Sequence, residues 1–550
     1  MKYFGGIVFI VMLITSFSCK KKKNVSIDTD VNSPQNYSTV HVEGKKILDA
    51  NGVPLQFQGV CFGNEVWTDN VFPTSHHTEA DYERVSDMGM NVIRFYMNYK
   101  TFEDDANPYL YKTSGWDWIE QNIDWAKNNN IYLILNMHVP QGGFQSNGNG
   151  GNLWTVVENQ KRLKALWNRI AKKYSNEPTI AGFDLVNEPV VTSSIAQWQT
   201  LAQQLVDTIR MVDKNHMIII ERVNAIGNNW SSNENMNFFR VNDKNVAYTF
   251  HFYSPIEYTH QNTSWTTLGE GGKYPDESII NITGKATWYT ATFLNPKLLS
   301  GTNDWTFLQG VKYHVTDPAI KLGLAALIGE KTGSGGKVYF DDLIIKEYDE
   351  NQLYVRDVML INPSSIIDWS YWSANNDGIG NFENSIGHGD NTSIAIGATS
   401  GDASFGNYAK QFVPKQGYYY EISGWVKGDN LDASSACKLR IDFQTSSYPV
   451  YGRNKEYLSS ILSQFTAWGD KENVPLYCGE FGIYKDCYDN NKGGLNWVSD
   501  MLDLFKQHKI HFTFHAYHED SFGIYPGYGT LPNPNNGRIE LINLFKDKLK

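Results

Sequence analysis

Apolar runs that are typical of buried strands alternate with amphipathic segments along most of the chain. Between several of these runs, apolar residues recur at helical spacing, as at Ile119, Ile123 and Ala126. Such alternation favours a parallel sheet with helical crossovers, and eight strand–helix units are typical of the (β/α)8 TIM barrel of the α/β class. The eight apolar runs cover residues 55–60, 91–96, 131–138, 180–188, 217–222, 246–253, 474–480 and 510–515.

One connection between these runs is much longer than the others. The sixth run ends at Tyr253 and the seventh begins at Val474, about 220 residues later, where a few tens normally suffice. Here the chain changes to short β-rich runs punctuated by glycine and asparagine, such as residues 337–348 and 418–428, and this pattern is typical of a β-sandwich. The sequence therefore predicts a barrel formed by residues 39–279 and 449–550, with a jelly-roll-like β-sandwich at 280–448 inserted after the sixth strand.

The N-terminus has the pattern of a processing segment. Lys2 precedes the apolar run 7–14, which is too short to span a bilayer, and small residues lead to Cys19. This pattern resembles a bacterial lipoprotein signal, so we expect residues 1–19 to be a signal that ends at a lipidated Cys19. Residues 20–38 are polar and predict a flexible tether. The expected location is a bacterial membrane, facing the periplasm or the cell surface, with ordinary secretion as the alternative.

Composition narrows the possible partners. A chain of 550 residues predicts two globular units, and we expect a monomer. The net charge of -11 without a basic stripe argues against a nucleic-acid partner and favours a neutral or weakly charged ligand.

The remaining cysteines show no metal-ligand spacing, so neither a metal nor a cofactor is predicted, and both disulfides and buried thiols stay open. These cysteines are Cys61, Cys437, Cys478 and Cys487.

Polar side chains end most of the eight runs. In a TIM barrel the carboxyl ends of all strands lie on the face where active sites form. Two of these residues are glutamates, Glu188 in FDLVNEP and Glu480 in VPLYCGEFG. Glycoside hydrolysis needs such a pair, because one carboxyl group protonates the leaving oxygen while the other stays ionised to attack the sugar. The other polar residues at strand ends are Arg94, His138, Glu221, His251, Tyr253 and His515.

Several motifs in sequence order resemble glycoside hydrolase family 5, a family of retaining, cellulase-like barrel enzymes. They are GMNVIRFYMNY, LILNMH, LWNRIAKKYSNEPTIAGFDLVNEP, FHFYSP and VPLYCGEFG. The resemblance implies that Glu188 is the general acid/base, that Glu480 is the nucleophile and that Asn187 bonds the sugar 2-hydroxyl. It also implies that the subsite at the cleaved bond is shaped by Arg94, His138, His251 and Tyr253.

Two positions depart from the family pattern. Asn136 stands where the family often has an aspartate, and the run FTFHAYHED places His515 or Tyr517 where a tryptophan often forms the floor of the site. We expect Arg94 and Tyr253 to hold Glu480 ionised, and Glu188 to have a raised pKa until it donates its proton.

The predicted function is retaining endo-hydrolysis of a β-1,4-linked glucan, either cellulose or a mixed-linkage relative. A β-mannanase or xyloglucanase of the same family is the alternative, and a noncatalytic surface glycan-binding protein is the alternative of another class. The insert resembles a carbohydrate-binding jelly roll. Its candidate sugar platforms are Trp369, Tyr371, Trp372 and Trp425, although the position of Trp425 within a strand favours the sandwich core.

Overall fold

A computed structural model describes residues 38–550 of the chain. Within this range it leaves out residues 67–76, 147, 149, 228, 231–236, 283–285, 293–296, 299, 362–368, 447–449 and 490. The predicted signal, Cys19 and nearly all of the predicted tether lie outside the described residues. Among the helices that are described, none is both long and apolar enough to cross a membrane.

Eight parallel strands close into a barrel, which confirms the predicted fold class. Each strand pairs with its neighbours in chain order, and the eighth pairs with the first. The strands are β1 (Gln58–Phe62), β2 (Val92–Asn98), β3 (Tyr132–Val139), β4 (Ile180–Asp184), β5 (Met217–Glu221), β6 (Val246–Phe252), β7 (Leu476–Phe481) and β8 (His511–Phe514).

Seven longer helices connect or follow these strands, namely Glu79–Asp87, Thr113–Asn128, Val157–Tyr174, Ile195–Arg210, Lys455–Glu472, Gly494–His508 and Ile539–Leu549. The helix before β7 shows how local sequence sets its ends. The Asn454 side chain accepts a hydrogen bond from the Tyr457 N–H at its start, and Asn473 ends it with φ of 53°. The connection from β5 to β6 differs from the predicted strand–helix unit. Its described residues contain no helix but form the strands Ala225–Ile226 and Asn229–Trp230, which join Val190–Val191 in a small sheet.

Strand alternation divides the barrel residues between two cores. In β5, Met217 and Ile219 face the barrel interior, whereas Ile218 and Ile220 pack toward the helices. Apolar residues of the N-terminal strands His41–Glu43 and Lys46–Leu48 join the interior core. This core fills the barrel near the amino ends of its strands, and polar side chains such as Glu221 point inward at the carboxyl ends.

Two antiparallel sheets lie in sequence between β6 and β7 and share one apolar core. The first sheet contains Ala286–Ala291, Ala436–Ser446, Leu322–Glu330, Ala403–Phe412 and Trp369–Ser373, with Lys297–Leu298 at its edge. The second contains Gly301–Gln309, Tyr419–Leu431, Lys337–Tyr348, Ser393–Gly397 and Ile379–Glu383, with Tyr313–His314 and Tyr354–Ile361 attached. A further pair joins Asp276–Ile282 to Val450–Arg453. The domain boundaries at 280 and 448 remain predictions.

The four candidate sugar platforms of the insert have different environments. Trp369 belongs to the sandwich core and Tyr371 packs against it, whereas the Trp372 side chain is 59% exposed. Trp425 does not belong to this core, because it alternates with the core residue Val426, and it stacks instead on the His388 ring at 3.9 Å. The prediction that Trp425 fills the core is therefore wrong. Cys61, Cys437, Cys478 and Cys487 are all buried free thiols.

Candidate active site

The two predicted catalytic glutamates meet at the carboxyl end of the barrel. One carboxylate oxygen of Glu188, one of Glu480 and a ring nitrogen of His251 lie within 4.8 Å of one another. The two glutamates line a cavity of about 920 Å³ together with His138, Tyr253 and His515. The cavity has the size of a typical ligand site, and its aromatic lining residues are Phe144, Trp265, Phe522 and Tyr528.

Three hydrogen bonds fix the Glu480 carboxylate. Arg94 Nη1 donates to Oε1 at 2.7 Å and the Tyr96 hydroxyl donates to the same oxygen at 2.6 Å. The Tyr253 hydroxyl donates to Oε2 at 2.9 Å. Because all three donors point at the carboxylate, they favour its ionised form and fix its orientation.

Electrostatics agree with this hydrogen-bond pattern. Burial alone would raise the pKa of the Glu480 carboxyl, but the positive charges of His251, His515 and Arg94 outweigh burial and hold the pKa well below its usual range. The expectation that Arg94 and Tyr253 keep Glu480 ionised agrees with these contacts. Glu480 is thus available as a nucleophile over the whole neutral range.

Arg94 links three parts of the site. Besides Glu480, its guanidinium donates from Nε to Asp184 Oδ2 at 2.8 Å and from Nη2 to Asn187 Oδ1 at 2.9 Å. The side chain is fully buried, so its charge is compensated by Asp184 and Glu480 rather than by solvent. Asn187 is held by this bond beside Glu188, where its amide group can meet a sugar hydroxyl.

The backbone of Glu188 adopts an unusual conformation. Its φ is 42°, in the left-handed region that non-glycine residues seldom enter, and its N–H donates to Glu221 Oε2 at 2.8 Å. Its side-chain Oε1 accepts a hydrogen bond from His251 Nδ1 at 2.8 Å. Both ends of the residue are therefore fixed by buried groups.

The charge state of Glu188 differs from the prediction. Burial raises the pKa of its carboxyl, but the hydrogen bond from His251 and the positive charge of that ring outweigh burial and lower it. The expected raised pKa is therefore wrong for the protein without substrate. The reason is a tertiary contact that no local sequence pattern reveals.

The pKa of the Glu221 carboxyl is raised, in contrast to that of Glu188. Glu221 is buried at the end of β5, and burial, partly offset by His251 and Arg94, raises its pKa to about 8. Its Oε1 lies 3.4 Å from His251 Nε2, and its Oε2 lies 3.9 Å from Arg94 Nη2. The two ring nitrogens of His251 thus face two different glutamates.

His138 lines the same cavity as a neutral ring. Burial lowers the pKa of its imidazole well below the usual value, and the ring stacks on Tyr96 at 3.9 Å. A neutral ring can donate from Nδ1 to Asn136 Oδ1 at 3.0 Å, and Nε2 can accept a weak bond from Asn187 Nδ2 at 3.4 Å. Asn136 therefore orients His138 in place of a charged residue.

His515 is one of the two residues predicted at the position where the family often has a tryptophan, and it lines the cavity. Its Nδ1 is 3.2 Å from the Tyr96 hydroxyl and its Nε2 is 3.6 Å from Glu519 Oε1. Burial lowers the pKa of the His515 imidazole, but the charges of Glu519 and Glu480 outweigh burial and raise it to about 10. The His515 ring is consequently charged at neutral pH, unlike a tryptophan side chain.

A raised pKa of His515 makes stability depend on pH in a defined direction. Its charged form is favoured by folding, so its contribution is complete below pH 6.5, the ordinary value, and is lost as the pH rises toward about 10. We expect the difference in unfolding free energy between the wild type and His515→Asn to shrink over this interval in urea denaturation. A difference that stays constant from pH 6 to roughly 10 would contradict the raised pKa.

Sequence reasoning missed Tyr96 and left Glu221 without a role. Tyr96 lies two residues after Arg94 on β2, so strand alternation directs both side chains to the same face, and this spacing could have revealed it. Among the described residues, Glu188, His251 and Glu480 form a cluster of potential metal donors. We assign no metal to them, because the same atoms bond one another and neighbouring side chains.

Comparisons with known proteins find relatives that are named endoglucanases. Endoglucanase C of Acetivibrio thermocellus is 31% identical over 213 residues, which cover 38% of this chain and 60% of the relative. An endoglucanase of Paenibacillus polymyxa is 29% identical over 257 residues, or 42% of this chain and 63% of the relative. The chain thus spans about 60% of the length of the first of these relatives.

A solved endoglucanase structure from Thermotoga maritima covers 89% of this chain and 96% of its own, with 13% identity and a TM-score of 0.48. The barrel assignment rests on the strand pairing described above rather than on this likeness. The model of the family described as cellulase, glycosyl hydrolase family 5, matches residues 48–378, which is more than half of the chain. The chain therefore belongs to glycosyl hydrolase family 5.

Proposed function

We propose that the protein hydrolyses internal bonds of a β-1,4-linked glucan with retention of anomeric configuration. The observation that supports retention is the short distance between the carboxylate oxygens of Glu188 and Glu480, which lie within 4.8 Å. Retaining enzymes separate the two carboxyl groups by about 5–5.5 Å, whereas inverting enzymes need roughly 6.5–9.5 Å to admit a water molecule.

The two glutamates have the environments that the retaining reaction requires. Glu480 is held ionised by Arg94 and by two tyrosine hydroxyls, so it can attack the anomeric carbon. Glu188 receives a hydrogen bond from His251 Nδ1, which connects it to a source of protons. In the second half of the reaction Glu188 takes a proton from water, which then displaces Glu480 from the sugar.

The proposed substrate rests on the cavity lining and on the relatives. Trp265 is 58% exposed and Tyr528 is 49% exposed at the cavity, as expected for platforms on which sugar rings stack. The relatives named above are called endoglucanases. An open site with exposed aromatic rings is compatible with binding several sugars on both sides of the cleaved bond.

Proton NMR of cellohexaose hydrolysis tests the proposal. We expect the β-anomer of the products to appear first and the α-anomer to form later by mutarotation. If the α-anomer appears first, the reaction is inverting and the assignment of Glu480 as nucleophile fails. If no β-glycan is cleaved, the protein is a glycan-binding protein instead.

β-Mannan and xyloglucan should be tested beside β-glucan, because the charge of His515 affects which sugar the site accepts. Its ring lines the cavity and has a raised pKa, so it offers charged hydrogen-bond donors to a sugar rather than an apolar face. Product sizing on β-glucan, β-mannan and xyloglucan identifies the preferred substrate. Release of short and intermediate oligosaccharides from the start supports internal cleavage, whereas release of a single product size contradicts it.

A further inference from the structure

We propose that Glu221 and His251 jointly hold the proton that Glu188 donates to the leaving oxygen, so that Glu221 is a positioning residue acting through His251. The inference rests on the proposed function. It concerns a residue that contacts neither the cavity nor the reacting atoms, and it assigns a role to a buried carboxyl group that the retaining scheme does not use.

Geometry supplies the first support. Three carboxyl groups face the His251 ring. Its Nδ1 lies 2.8 Å from Glu188 Oε1 and 3.4 Å from Glu480 Oε2, and its Nε2 lies 3.4 Å from Glu221 Oε1. Nε2 is buried and makes no hydrogen bond of standard geometry within the described part of the chain. The second oxygen of Glu221 accepts the backbone N–H of Glu188, which fixes Glu221 relative to the acid/base residue.

Proton affinities give the second support. Glu188 has a lowered pKa, and burial raises the pKa of Glu221 to about 8. Burial disfavours the charged ring of His251, but the negative charges of Glu221 and Glu480 outweigh burial and raise its pKa. At neutral pH the pair of Glu221 and His251 therefore carries a proton that Glu188 lacks, and such coupled groups titrate as a unit.

Other charged groups around Glu221 are consistent with a shared proton. The positive charge of Arg94 lowers the pKa of Glu221, and the negative charges of Asp184 and Glu188 raise it. Arg222 follows Glu221 in the chain, and burial lowers the pKa of its guanidinium. Because Arg94 already compensates Asp184 and Glu480, it leaves the charge of Glu221 only partly balanced.

The proton moves from His251 through Glu188 to the leaving oxygen and returns by the same route. The pair gives up the proton on His251 Nδ1 to Glu188 Oε1, which leaves a neutral ring whose Nε2–H faces the ionised Glu221. Glu188 passes its proton to the glycosidic oxygen as the bond from that oxygen to the anomeric carbon breaks and Glu480 bonds to the carbon. Water then bonds to this carbon, the bond to Glu480 breaks, and the proton of the water returns through Glu188 to the pair.

Glu221→Gln tests the proposal, because glutamine keeps the shape of the side chain but cannot ionise or share a proton. Removing a negative charge lowers the proton affinity of both His251 and Glu188. We therefore expect the basic limb of the pH profile of kcat/KM to shift to lower pH by about one unit or more. On cellohexaose at pH 7.5 we expect a loss on the order of 10²-fold, within the range of general-acid effects.

An activated substrate separates proton supply from a structural role. Dinitrophenyl β-cellobioside has a leaving group that needs no proton, so its first-turnover release by Glu221→Gln should stay within roughly threefold of the wild type. Glu347→Gln, which changes another buried glutamate, in the insert, is the matched control. It should leave the ratio of the two rates unchanged.

The remaining outcomes of these experiments distinguish failure of the shared-proton proposal from failure of the proposed function. Equal losses on both substrates, or an unchanged pH profile, overturn the proposal, whereas a wild type that is inactive on both substrates overturns the proposed function instead. If Glu221→Gln does not fold, ¹⁵N NMR of the His251 ring in the wild type replaces it. A shared proton predicts that both ring nitrogens titrate together with a pKa above the ordinary value of imidazole, and a ring that is neutral throughout overturns it.

Discussion

Glu480→Gln is expected to reduce the hydrolysis of cellohexaose on the order of 10⁵-fold, as the removal of a covalent nucleophile does in other enzymes. Glutamine has nearly the same shape but cannot form the bond to the anomeric carbon. Arg94 and Tyr96, which both donate to Glu480 Oε1, can still hold an amide oxygen at that position. Binding of oligosaccharides should therefore persist.

Two measurements check this expectation. Product release is followed over hours for the variant, and its affinity for cellohexaose is measured by isothermal titration calorimetry. The exposed Glu270, which pairs with Lys492 at 2.9 Å, supplies the control Glu270→Gln with wild-type rates. If Glu480→Gln keeps more than roughly a hundredth of the wild-type rate, Glu480 is not the nucleophile.

Arg94→Met is expected to lower the free energy of unfolding by about 3–5 kcal/mol, the usual effect of removing one partner from a buried ion pair. Methionine preserves much of the volume but leaves the carboxylates of Asp184 and Glu480 without their shared cation. Both carboxylates are buried, so solvent cannot replace the lost charge.

Urea denaturation at neutral pH measures the loss. The control is Lys161→Met, because Lys161 pairs with Glu158 on an exposed surface and should change stability by less than about 1 kcal/mol. Adding Glu480→Gln to Arg94→Met should recover part of the loss, since one uncompensated charge is then absent. A double variant no more stable than Arg94→Met would show that the loss comes from packing alone.

Most of the correct fold prediction came from the periodic spacing of apolar residues and from the polar residues at the strand ends. Eight apolar runs identified the eight barrel strands, because buried parallel strands have no polar face. The long gap between Tyr253 and Val474 likewise predicted an insertion, and the two antiparallel sheets lie within this gap. The β5 to β6 connection was harder, because its described residues form short strands with Val190–Val191, a long-range pairing that leaves no periodic signal.

The site was predictable where a residue's role follows from its own position on a strand. Strand ends placed Glu188, Glu480 and Arg94 together, because all parallel strands end at one rim. The charge of Glu188 was not predictable, since it depends on a 2.8 Å contact with His251, 63 residues away. The same holds for Glu221, whose proton affinity depends on burial among groups from other strands.

The strand pair Asp276–Ile282 and Val450–Arg453 has a consequence for the order of folding. β6 and β7 are neighbours in the barrel but are separated by the entire insert, so their pairing closes a very long loop, at an entropic cost that grows with loop length. If the insert folds first, this strand pair already brings the two chain ends together. The loop that the barrel must close is then made of residues 253–275 and 454–475 rather than the whole segment between β6 and β7, and the slow search for a distant strand becomes a more local step.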